Sequence, residues 1–165
     1  MKRTDTYILG IDPGLHGGWA LLKNGKLIEA GHFPISKETK EIDSGLLYMH
    51  WRDLNIDFAF IEDVGVFGGE HKGRKQGVKG MFNFGMRLGQ VLGVLQVSDI
   101  KYKAIRPSQW KKSAGLSKDK EGVREAAIQL WPSAEHLLTR KKDEARAEAA
   151  LIARHGFLGG LHNVQ

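Results

Sequence analysis

Short apolar blocks separated by turn residues dominate the first sixty positions. Tyr7-Ile8-Leu9-Gly10-Ile11 is apolar on both faces of an extended chain, as a central strand is. Asp12-Pro13-Gly14 ends it, because proline cannot continue the ladder and glycine permits a turn. Gly18-Trp19-Ala20-Leu21-Leu22 and Lys26-Leu27-Ile28-Glu29-Ala30 flank Asn24-Gly25, the strongest short-range hairpin signal. The chain therefore opens as a three-stranded meander.

Residues 45–54 predict a helix with Leu46, Leu47, Met49 and Trp51 as its apolar positions. Ile56 to Glu62 predicts a fourth strand buried on both faces. Residues 65–80 are glycine-rich and basic and read as a mobile loop. From Met81 to Val97 the apolar spacing predicts a long helix, with Gly85, Gly89 and Gly93 forming one smooth stripe suited to close approach by another helix or subunit. Lys101–Arg106 alternates as a fifth strand up to Pro107, and Ser108–Lys112 follows as a short helix or turn. Helices are predicted over Lys118–Leu130, closed by Trp131-Pro132, and over Asp143–Arg154, with Gly156 as its stop. The order is mixed α/β in a single domain spanning residues 1–165, and the meander excludes an all-parallel sheet.

Composition narrows the chemistry. With 165 residues, 41% hydrophobic and 27% charged, the chain is long enough for a core of its own. It has no cysteine, which removes disulfides, thiol nucleophiles and cysteine-based zinc sites. The absence of a long apolar run or a signal-peptide core points to a soluble, cytoplasmic, non-secreted protein without membrane contact. Charge is distributed unevenly. Residues 1–71 hold 7 basic and 11 acidic side chains (−4), residues 72–142 hold 16 and 5 (+11), and residues 143–165 hold 2 and 3 (−1). A cationic middle third between acidic ends suits a polyanionic partner beside carboxylates kept for another purpose.

Those carboxylates occur where burial should disfavour charge. Asp12 ends an apolar strand, and Glu62 continues the face of Phe58 and Phe60 by period two. Glu144 and Glu148 lie four apart on the last helix and share a face. Asp143 precedes them as a cap or first-turn acid. An oxygen-only set suits Mg²⁺ or Mn²⁺ rather than zinc, and a pair of such ions is a standard device for phosphodiester cleavage.

Gly10-Ile11-Asp12-Pro13-Gly14, Phe60-Ile61-Glu62, and Lys142-Asp143-Glu144-Ala145-Arg146-Ala147-Glu148-Ala149, in that order, resemble RuvC-type Holliday junction resolvases, particularly the phage and organellar branch. Arg87-Leu88-Gly89-Gln90-Val91-Leu92-Gly93 after a basic glycine-rich loop is also similar. The resemblance covers essentially the whole chain. It implies a ribonuclease H-like α/β fold, a mixed five-stranded sheet with an opening β-meander flanked by helices. It further implies a homodimer that cuts a four-way DNA junction by paired symmetric nicks with two Mg²⁺ per active site, Mn²⁺ substituting.

Carried over, Asp12 bridges both ions, Glu62 binds one and Glu148 closes the site, with Asp143 or Glu144 as the fourth ligand. The bacterial pattern would put that ligand at Ala145, so the sequence departs there, and the face shared with Glu148 favours Glu144. Phe67 is the first candidate for the family's junction wedge, with Phe82 and Phe84 as alternatives. The candidate DNA contacts are Lys72, Arg74, Lys75 and Lys79 at the junction, Arg106, Lys111, Lys112, Lys118 and Lys120 along the arms, and Arg140, Lys141 and Lys142 beside the acidic helix.

The glycine–aspartate motif by itself also occurs in actin-like ATPases, but 165 residues cannot supply their two lobes, so no nucleotide cofactor is expected. Two other readings share the sequence features. One is an RNA-processing nuclease of the YqgF type; the other is a non-catalytic junction-binding module.

Overall fold

A computed structural model describes residues 5–63, 77–116 and 122–159. Five strands, β1 (Tyr7–Asp12), β2 (Gly18–Lys23), β3 (Lys26–His32), β4 (Phe58–Glu62) and β5 (Tyr102–Ile105), form one sheet in the order β3-β2-β1-β4-β5. β1, β2 and β3 pair antiparallel, and β4 joins β1 in parallel and carries β5 in parallel on its other side. Asn24 (φ 50°) and Gly25 (φ 78°) both take positive φ, the conformation that a tight right-twisted hairpin demands. The mixed sheet and its opening meander are those expected from the sequence.

Five helices cover the sheet: α1 (Ser44–Trp51), α2 (Val78–Val97), α3 (Pro107–Ser113), α4 (Val123–Leu130) and α5 (Glu144–Leu158). Strand alternation sorts the core into two layers. Ile8, Leu22, Phe58, Phe60 and Ile105 face α3, α4 and α5, while Leu9, Ile11, Leu21, Ala59 and Ile61 face α1 and α2. No helix among the described residues is long and apolar enough to cross a membrane.

Several boundaries differ from the sequence expectation. α1 ends at Trp51, where the Arg52 N–H closes on Tyr48 O at 2.9 Å, rather than at Leu54. β4 begins at Phe58 instead of Ile56, and α2 begins at Val78, inside the stretch read as loop. Residues 132–137, assigned no element from sequence, form a 3₁₀ segment. The largest difference is at Gly156, which does not stop α5. The helix runs to Leu158 and is capped by Gly159, while a Cβ on Gly156 would overlap the Phe60 ring, so glycine is present there for packing.

The same device seats α5 on β1. A Cβ on Gly10 would overlap the Ala149 carbonyl and come within 2.8 Å of the Ala153 Cβ, and one on Gly18 would lie 3.0 Å from the Ala145 backbone. The helix thus crosses β1 and β2 at near backbone contact, its start beside the carboxyl end of β1. By contrast, Gly85, Gly89 and Gly93 on α2 have open space around them.

These contacts predict opposite outcomes for one substitution. Gly10→Ala should destabilise the chain by about 1–3 kcal/mol or more through overpacking. Gly89→Ala should stabilise the monomer by about 0.5–1 kcal/mol through helix propensity. Urea unfolding of both variants checks the pair.

Candidate active site

Asp12 and Glu62 end two adjacent parallel strands, one residue beyond the Ile11–Ile61 pair. Each continues its strand's α5-facing series, Asp12 after Ile8 and Gly10, and Glu62 after Phe58 and Phe60. The chain leaves β1 toward β2 on one side, whereas β5 lies on the far side of β4. This crevice outside the carboxyl ends, where strand order diverges, is the usual ligand position in open α/β sheets.

α5 supplies the third carboxylate. Its Ala145 and Ala149 rest on Gly18 and Gly10, which brings its first turns to the same end of the sheet. Glu148 is 9% exposed within a run of buried small residues, and Glu144 opens the helix half-exposed. The positive end of the helix dipole favours both acids. Asp12 and Glu62 are partly exposed, and Glu62 Oε1 accepts a hydrogen bond from Trp110 Nε1 at 2.9 Å. That bond joins residues 48 apart in sequence, and nothing in the pattern around Trp110 announces it.

The elements therefore bring Asp12, Glu62, Glu144 and Glu148 to one end of the sheet. The donor chemistry, oxygen alone, fits a hard divalent cation. Among the described residues, however, no group of three His, Asp or Glu side chains that could hold a metal ion is assembled.

Asp143 has a different task from the ligand role considered for it. Its side chain is 1% exposed. Arg140 donates to it from Nε (3.1 Å), Nη2 (2.9 Å) and the backbone N–H (2.9 Å). His32 Nε2 lies 3.3 Å and Arg146 Nη1 3.5 Å from its Oδ1. Both oxygens are thus committed to fixing the entry to α5, and Asp143 leaves the candidate ligand set. Arg140, named as a DNA contact, commits Nε and Nη2 to Asp143 while its side chain stays 53% exposed. His32 and Arg146, to which the sequence gave no role, complete the cluster.

Arg106 follows β5, and Lys141 and Lys142 precede α5; all three are exposed near the acidic end. Lys112 is exposed on α3, while Lys111 is half-buried with Nζ 5.4 Å from the centroid of the Trp110 ring. Lys79 is exposed in the first turn of α2. Phe82 is 70% exposed, whereas Phe84 packs on the α1–α2 core, which removes Phe84 as a projecting wedge. Phe67, Lys72, Arg74, Lys75, Lys118 and Lys120 lie outside the described residues.

Burial alone would raise the Asp143 pKa, but the hydrogen bonds from Arg140 and His32 and the charge of Arg146 outweigh it and hold the carboxyl well below its usual range. With the folded value below the unfolded one near 3.8, its stabilisation is full above that pH and is lost as the pH falls beneath it. Asp143→Asn should cost about 2–3 kcal/mol at neutral pH, because it leaves the part-buried Arg146 charge without its carboxylate. Urea unfolding stepped down to about pH 2 should also show a shallower acid decline in the variant than in the parent chain.

No family model matches the chain, and no curated protein does. Solved structures do. Thermus thermophilus RuvC is 16% identical over 91% of this chain and 92% of that one, with a TM-score of 0.65, and 0.64 in its complex with a Holliday junction substrate. The fowlpox virus Holliday junction resolvase is 13% identical over 97% and 100% of the two chains, with a TM-score of 0.54. The chain has the ribonuclease H-like fold that these resolvases share.

Proposed function

We propose that this protein is a divalent-metal-dependent endonuclease that resolves four-way DNA junctions as a homodimer, cutting two strands by paired nicks. The observation that carries the reading is the delivery of acidic residues by β1, β4 and α5 to one end of a resolvase-like sheet. Three separate elements converge there, which a structural surface acid does not require.

Asp12, Glu62 and Glu148, with Glu144 as the fourth ligand, would hold Mg²⁺, with Mn²⁺ as a substitute. When bound, the ions would lower the pKa of a water and stabilise charge on the scissile phosphate. The chain's own contribution is placement. Asp12 ends β1, the central strand, beside the strand that carries Glu62. Glu62 is oriented by the Trp110 indole, and Glu148 is kept from bulk water by the packing of α5. Arg106 after β5, Lys112 on α3, and Lys141 and Lys142 before α5 are exposed cations to which the backbone of a cut strand would bind. Lys111 would join them from beside Trp110, and Lys72, Arg74, Lys75, Lys79, Lys118 and Lys120 would extend the contact surface, with Phe67 or Phe82 as the wedge.

The dimer reading draws on α2. Its first turns expose Val78 (87%) and Met81 (57%), and they continue into the open glycine stripe. A second copy of the chain would cover this face and set two active sites on one junction.

A labelled four-way junction incubated with Mg²⁺, beside linear duplex and an RNA–DNA hybrid, tests the reading. Symmetric nicks confined to the junction are expected. Asp12→Asn should abolish them while leaving junction affinity intact or tighter, because a carboxylate is removed from an anionic site and the cationic surface is untouched. Cleavage retained in that variant would overturn the assignment. If about 6–10 phosphates are neutralised, affinity should fall about 10³–10⁵-fold between about 50 and 200 mM salt. A flat response in a filter-binding titration would remove the basic surface from the proposal.

A further inference from the structure

The Trp110 side chain is fully buried, yet its N–H is not satisfied by the backbone. It donates to the carboxylate that ends β4, Glu62 Oε1, at 2.9 Å. Two other indoles provide the contrast. Trp131 Nε1 donates to the Gly25 carbonyl at 2.9 Å, and Trp51 Nε1 is buried with no hydrogen-bond partner among the described residues. This fold therefore satisfies one indole through backbone and leaves another unsatisfied, while Trp110 meets a charged acceptor at the site. A hydrogen bond to an ionised group is about twice as strong as a neutral one and holds a tighter geometry.

The donor is itself braced. Pro107 starts α3, and the Arg106 N–H donates to Gln109 Oε1 at 3.1 Å to close the first turn. Ser113 Oγ donates to the Trp110 carbonyl at 2.9 Å and lies 2.9 Å from His155 Nδ1. Arg154 Nη1 donates to the Ser113 carbonyl at 3.3 Å. His155 and Arg154 belong to α5, so the indole is tied to the helix that carries Glu144 and Glu148.

We infer that Trp110 is a positioning residue for cation binding: its Nε1–H holds Glu62 in the orientation in which the carboxylate accepts a divalent ion, and registers that orientation against α5. The inference rests on the reading of the carboxylate site proposed above. Trp110 does not touch DNA or the reacting atoms; it acts through Glu62.

Trp110→Phe removes the N–H and keeps an aromatic ring. Magnesium titrations of the full chain without DNA, followed by thermal shift and by NMR, give the ion affinity, and junction cleavage against magnesium concentration runs in parallel. The variant should need about 10–100-fold more magnesium, the range typical when a partner behind a metal ligand is lost. Excess magnesium should restore most of the rate, and junction affinity in EDTA should not change. Loss of packing alone would lower the melting temperature in EDTA and leave the magnesium midpoint of the folded chain unchanged.

Equal magnesium midpoints in the two chains would overturn the inference and leave the carboxylate site standing, and so would a defect that magnesium does not rescue. A parent chain that neither binds magnesium nor cuts would overturn both. If Trp110→Phe does not fold, the parent chain still decides. The Trp110 indole proton resonance should move on adding magnesium and on Glu62→Gln. A resonance that stays fixed while the Glu62 amide shifts would refute the assignment.

Discussion

Helix α5 lies on the sheet at near backbone contact, and the candidate site depends on that seat. Gly10 and Gly18 leave no side chain between strand and helix, and Ala145, Ala149 and Ala153 fill the gap from the other side. A helix at ordinary distance on larger side chains would carry Glu148 away from the ends of β1 and β4. The closeness has a cost, since a carboxylate at 9% exposure loses hydration that nearby charge or donors must replace. Gly156 extends the seat by accepting the Phe60 ring, and Phe60 lies two residues before Glu62 on the same face. Contact and chemistry are thus built on the same alternating positions.

Two polar assemblies fix the helix at opposite sides. At its start, Asp143 gathers Arg140, His32 and Arg146, linking the helix entry to the last residue of β3. Along its later turns, Arg154 and His155 hold Ser113 and so the turn that carries Trp110. The first assembly is buried ion pairing, costly to break and weakly stabilising in net terms. Its value is specification, because a shifted register of α5 would take Asp143 away from Arg140 and His32. The acids of the site are separated from this scaffold by a single peptide bond, between Asp143 and Glu144.

Much of the fold was legible in the residues. The apolar run Tyr7–Ile11, the Asn24-Gly25 turn and the face shared by Phe58, Phe60 and Glu62 carry their structure locally, through period-two alternation and turn chemistry. Asp12, Glu62 and Glu148 stood out for the same reason, as charge in apolar settings. The failures share a different cause. Gly156 looks like a helix stop because the sequence cannot show the Phe60 ring waiting for it. Asp143 looks like a ligand because His32 and Arg146 reach it only through the fold. Trp110 drew no reading from the sequence because its partner is 48 positions away. Long-range satisfaction of polar groups has no periodicity to read.

Helix α2 contains a boundary. From Leu88 onward its residues Leu88, Val91, Val94 and Leu95 are core, whereas before it Val78, Met81, Phe82 and Met86 are exposed and Phe84 packs on the body. At the border Arg87 grips Glu41 with two bonds, at 2.6 and 2.9 Å, and Gln90 Nε2 donates to the Ile42 carbonyl at 3.1 Å. Folding free energy is therefore invested in the second half of the helix, and the first half is nearly exempt from it. One continuous helix thereby separates two selective pressures: its outer turns can vary with whatever they meet, and the thermodynamic stability of the single chain does not constrain them.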